Sequence, residues 1–145
     1  MAKRPPGSAR TGTPKRSSKP ARPTPINRLL AALPAADRQR ISLLLRDAVL
    51  KFHDILHRKG ERVEHVYFPE GGICSLVLPL ADGSLVEMAM VGSEGVVGAS
   101  AALNGDIAQE TVLVQVGSDF SCRMAIGDFR REMDRRGPFH ELVTR

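Results

Sequence analysis

Three histidines, His53, His57 and His65, fall within thirteen residues of one another. Histidine is the side chain best suited to metal ligation or to proton transfer near neutral pH. Read as strand residues, His53 and His57 share a face about 13 Å apart at ~3.3 Å per residue, too far to hold one ion without a third element folding between them. A metal centre needs three or four ligands converging from imidazole, thiolate and carboxylate groups, and no such cluster is legible here. The expectation is surface strand histidines, no metal and no other cofactor. A cupin-like metalloenzyme is therefore the weakest of the alternatives.

Covalent catalysis finds no better footing. Ser75, Ser84, Ser93 and Ser100 are available, but Gly92-Ser93-Glu94-Gly95 does not have the spacing of a nucleophile elbow. Glu87, Glu94 and Asp106 are scattered rather than paired for acid–base work. The chain reads as a non-enzyme. The glycine-rich run GSEGVVGASAALNGD leaves two readings open. Its glycines either let backbone N–H groups approach a phosphate ahead of a short helix at Ala99 to Leu103, or simply make tight turns between strands.

The elements that must position these residues follow from pattern. Residues 1–25 hold six of the ten prolines, seven Lys or Arg and no acid. Such a segment cannot bury enough apolar surface to offset its ordering entropy, and it reads as a disordered basic tail. It leaves 14 basic against 16 acidic residues in the rest of the chain, so the excess positive charge lies on the tail. A tail of this kind can contact nucleic acid weakly and without sequence preference. The two cysteines, Cys74 and Cys122, sit in apolar strand-like surroundings and read as buried free thiols suited to a reducing cytoplasm. No apolar run reaches the roughly 20 residues of a membrane span, and the basic start lacks the apolar stretch of a secretory signal.

From Asn27 the pattern is helical. Asn27 caps a short helix with Leu29, Leu30 and Leu33. Pro34 then takes a first helical position, and Ile41, Leu44 and Leu45 form a second stripe. From Val49 the chain turns to strands: AVLKFHDILH, a turn at Lys59-Gly60-Glu61, VEHVYF, then ICSLVLPL and SLVEMAMV joined through Asp82-Gly83. The Asp-Gly pair predicts a type I′ hairpin with positive φ at both central residues. Because both runs alternate only partly, both of their faces are expected to be covered. Further strands follow at Thr111 to Val116 and at Asp119 to Ala125. An amphipathic helix then presents Ile126, Phe129 and Met133, is stopped by Gly137-Pro138, and FHELVTR begins another. Helices, then seven or eight short strands, then helices, with no β-α-β alternation, predict a mainly β chain folded as an antiparallel β-roll flanked by α-helices over residues 26–145.

The segments NRLLAALP, HVYFPEGGICSLV, DGSLVEMAMVGSEGVVG and VLVQV together resemble the N-terminal effector domain of bacterial Crp/Fnr-type transcription regulators, from about Asn27 to the end. The resemblance implies a jelly-roll domain like those that bind cyclic nucleotides. It also implies a ligand site spanning Glu94, Gly95, Gly98, Ala99, Glu110 and Thr111. In cyclic-nucleotide binders a glycine is followed by Glu, which holds the ribose hydroxyl, and an Arg-Ser pair grips the cyclic phosphate. Here Gly98 matches the glycine, Ala99 stands at the Glu, and Glu110 and Thr111 stand at the Arg and Ser. A carboxylate repels a phosphate, and a bidentate charged pair is lost. The expectation is a small-molecule effector of unknown identity, not tightly held cAMP or cGMP. The family's dimerisation helix and helix-turn-helix would follow the roll and are not found within the 145 residues. A homodimer and DNA recognition are thus expectations for a longer form, and a stand-alone interaction module working through the tail is the alternative.

Overall fold

The computed structural model describes residues 27–145. The basic tail expected over residues 1–25 lies outside them. The described chain runs α1 (Arg28–Ala31), α2 (Ala35–Ser42), β1 (Arg46–Leu50), β2 (Ile55–His57), β3 (His65–Pro69), β4 (Ile73–Pro79), β5 (Leu85–Val91), α3 (Ala99–Leu103), β6 (Thr111–Val116), β7 (Ser118–Ala125), α4 (Ile126–Asp134) and α5 (Pro138–Val143). The strands make two antiparallel sheets. One is ordered β1-β7-β3 and the other β2-β6-β4-β5. This is the predicted antiparallel roll with flanking helices.

The three-stranded sheet separates two apolar layers, and strand alternation assigns each residue to one of them. Val66 and Phe68 of β3, with Cys122 and Met124 of β7, pack against Leu29, Leu30, Ile41, Phe129, Met133 and Phe139 of the helices. The Phe129 and Phe139 rings meet edge to face at 5.5 Å. On the opposite side, Leu50, Cys74, Val97, Val112 and Val114 form a smaller core between the sheets, with Tyr67 and Leu76 partly buried against it. Cys74 and Cys122 are both buried thiols outside any disulfide, as expected. Burial pushes the Cys74 thiol up to about 11.

Asn27 fastens the helical layer to the roll. Its Oδ1 accepts from Leu30 N–H at 3.1 Å, which is the predicted cap. Its Nδ2 donates to the carbonyls of Pro69 and Gly95, both at 2.9 Å. Pro34 differs from expectation by one position: it is the cap residue before α2 rather than its first helical residue.

Three strand expectations are corrected. The run from Ala48 to His57 is two strands, because the chain turns between them and His53 takes φ +72° there. His53 is therefore a turn residue. The Asp82-Gly83 hairpin is real, but only Gly83 has positive φ, at +86°. The bonds Gly83 N–H to Leu80 carbonyl and Leu80 N–H to Ser84 carbonyl make it a three-residue loop in which one left-handed residue suffices. Finally, β5 is not covered on both faces: Leu85 to Met90 are all exposed. Partial alternation here reflects a free edge strand rather than a doubly buried one.

Candidate functional site

The segment between β5 and β6 is built around Gly98. The reciprocal bonds Val97 N–H to Tyr67 carbonyl (2.8 Å) and Tyr67 N–H to Val97 carbonyl (2.9 Å) tie it to β3. Gly98 then turns left-handed, at φ +96°, and opens α3. Glycine is required there twice over. A Cβ would stand 2.7 Å from His57 Cε1, and φ in this region penalises any other residue. At its other end the segment is held by Asp106, which pairs with Arg130 of α4, and by the bond from Val63 N–H to the Asp106 carbonyl at 2.7 Å.

His57 is the residue that sequence reasoning misjudged. Read there as a surface strand histidine, it is 7% exposed and lies directly under Gly98. Its Nε2 lies 2.9 Å from the His65 carbonyl, so Nε2 carries the proton and Nδ1 is left as an acceptor. Burial holds its pKa below the ordinary histidine range, partly opposed by the His65 carbonyl and by the charge of Glu110. The dipeptide Leu56-His57 gives no pattern from which this burial can be read.

Of the six residues singled out in the sequence, four come together and two lie elsewhere. Gly98 and Ala99 open α3, and the Ser100 hydroxyl of the same turn donates to Glu110 Oε1 at 3.1 Å. Thr111 Oγ1, beside it, accepts from Lys59 N–H at 3.1 Å. Glu94 and Gly95 point to the entry of the helical layer instead. Glu94 Oε1 accepts from Gly92 N–H at 3.0 Å. That N–H, its own backbone N–H and the charge of Arg28 hold its carboxyl below the usual range. Glu94 lines a hollow of about 320 Å³ with Gly72, Ile73, Met90, Gly92 and Ser93. The Ser100–Glu110 pair is not legible in the sequence, because nine intervening residues of helix and turn hide it from any periodicity.

The chemistry of the α3 site follows from its donor set. Ala99 offers no acceptor for a hydroxyl. Glu110 and Ser100 offer a carboxylate and a hydroxyl, which suit neutral hydroxyl or amino groups and oppose an anion. Among the described residues no three His, Cys, Asp or Glu side chains converge as a metal site, and no helix is long and apolar enough to cross a membrane.

No protein-family profile matches the chain, and no curated protein matches it in sequence. Solved structures do resemble it. The regulatory domain of Toxoplasma gondii protein kinase A with cAMP shares 18% identity over 73% of this chain and 42% of that one, at TM-score 0.63. The N-terminal domain of a transcriptional regulator from Streptomyces coelicolor shares 20%, over 80% of each chain, at TM-score 0.59. The regulatory subunit of a cAMP-independent protein kinase A from Trypanosoma cruzi, bound to guanosine, shares 15% over 80% of this chain and 40% of that one, at TM-score 0.66. The chain thus spans less than half the length of either of these two kinase chains. Its fold is the β-roll shared by cyclic-nucleotide-binding domains and the N-terminal domain of a bacterial transcriptional regulator.

Proposed function

We propose that this roll is a non-enzymatic sensor module of a cytoplasmic Crp/Fnr-type transcription regulator, and that its effector carries no cyclic phosphate. The observation behind this reading is the Ser100–Glu110 hydrogen bond beside Ala99. A roll whose relatives include a cAMP-bound domain here presents a carboxylate where the resemblance places the phosphate-binding cation. A buried-side arginine–phosphate pair is bidentate and charge-assisted; replacing its cation by an anion removes that attraction and adds repulsion. The guanosine bound by the cAMP-independent trypanosomal subunit supports an uncharged nucleoside as the class of ligand such a roll can take. In a complete regulator, effector binding would shift the population of dimer orientations that present the DNA readers.

Thermal unfolding with added ligand tests this, since a ligand that binds only the native state raises Tm by mass action. Millimolar cAMP and cGMP are expected to leave Tm unchanged, and guanosine to raise it. The triple variant Ala99→Glu, Glu110→Arg, Thr111→Ser is expected to gain a cAMP-dependent rise. A clear rise of the unmodified protein with cAMP would overturn the reading.

A further inference from the structure

His57 is shared by two features of the fold. Its ring lies under the Gly98 turn, with Nδ1 3.5 Å from the position a Cβ would take on that glycine. The same ring lines a hollow of about 160 Å³ together with Arg62, Glu64, His65 and Tyr67. With Nε2 committed to the His65 carbonyl, Nδ1 is an acceptor, and it has no hydrogen-bond partner among the described residues. No sealed side-chain nitrogen or oxygen among those residues lacks a partner, so Nδ1 is open to a group that enters from outside. Such an acceptor takes only an O–H or N–H donor. Burial favours the neutral ring, so the lone pair is available at neutral pH.

The hollow sets the size of what carries that donor. Whole small-molecule ligands occupy pockets of about 300 Å³ or more, so a hollow of about 160 Å³ takes a single small ring. Arg62 and Glu64 offset each other's charge there, and His65 and Tyr67 add hydrogen-bonding side chains. This lining suits a hydroxylated ring better than an ion or the flat face of a purine. Ala99 supplies no acceptor at the turn, which leaves Nδ1 as the side-chain acceptor beside Gly98.

We propose that His57 Nδ1 accepts a hydrogen bond from a sugar hydroxyl, and that through this contact the roll selects a ribonucleoside over its deoxy counterpart. The proposal rests on the uncharged-nucleoside reading of the α3 site and adds which group of the nucleoside is read, and by which residue.

Calorimetric titration of the full chain with guanosine, 2′-deoxyguanosine and 3′-deoxyguanosine tests it. Guanosine is expected to bind at least about fivefold more tightly than one of the two deoxynucleosides, the factor that one neutral hydrogen bond carries. His57→Gln keeps an N–H for the His65 carbonyl but has no acceptor at the Nδ1 position. In that variant the preference is expected to fall to about one. Comparing three ligands on one protein cancels any loss of stability that the substitution brings. Equal binding of all three nucleosides to the unmodified chain overturns the role of His57 and leaves the uncharged-nucleoside reading standing. So does a preference that His57→Gln retains. Failure of guanosine to bind the unmodified chain at all overturns that reading and this proposal together.

Discussion

The strands β3 and β5 are both short, extended and mostly apolar, yet one is the most buried strand of the molecule and the other the most exposed. In β3 every residue is buried or half-buried; in β5 only Val91 is. The difference lies in what each strand is laid against. Helices cover one face of β3 and the second sheet covers the other, whereas β5 hangs from β4 alone. Composition sets how much a strand gains by being covered, and topology decides whether it is. Among the described residues, the burial of an apolar strand is thus set by its neighbours in the fold and not by its composition alone.

Substitution should separate the two strands sharply. Phe68→Ala in β3 removes a fully buried ring from between helix and sheet and is expected to cost about 4 kcal/mol. Met88→Ala in β5, where the side chain is exposed, should stay within about 0.5 kcal/mol. Urea unfolding of both variants checks the contrast, and equal costs would break it. Asn27 joins the helical cover to the roll that β3 belongs to. Asn27→Ala loses the cap and leaves the Pro69 and Gly95 carbonyls without this donor, an expected loss of about 3 kcal/mol by the same measurement. Gly98→Ala adds a Cβ against His57 at a left-handed φ and should cost about 2 kcal/mol. Part of that cost should return in the double variant with His57→Ala, which opens the space but leaves the strained φ.

The smallest effect is one of pH. The buried His57 resists protonation while the unfolded chain takes up a proton near pH 6.5, so this residue's contribution is present above that pH and is lost as the pH falls below it. His57→Gln keeps an N–H for the His65 carbonyl without titrating. Its unfolding midpoint should therefore change less between pH 7 and pH 5 than that of the unmodified protein. Parallel slopes would show that His57 is not the group responsible.

The fold was largely legible because its signals are local. The Asn27 cap, the 99–103 helix, the strand at 111–116 and the amphipathic face of Ile126, Phe129 and Met133 each follow from propensity and spacing within a dozen residues. What escaped depends on residues far apart in sequence. The exposure of β5 is set by the absence of a neighbouring strand in the described roll. His57 is buried because Gly98, forty-one positions later, lies over it. The Cys122–Glu70 pair, with Sγ 3.2 Å from Oε1, joins β7 to the end of β3 across fifty-two residues. The candidate site was half legible for the same reason: the Gly98 turn could be placed, but the Ser100–Glu110 closure could not.

The position of β7 has a consequence for how the chain is made. It is the central strand of its sheet, and its two neighbours, β1 and β3, are synthesised some fifty to seventy residues before it. Neither β1 nor β3 has a partner in that sheet until residues 118–125 have emerged from the ribosome. The nascent domain must therefore hold β1 and the apolar β3 unpaired in that sheet while the intervening residues are made, then close both ladders in one late step. Folding is delayed by topology, with the long loops that slow a high-contact-order chain, and the interval before closure is when a chaperone has most to protect.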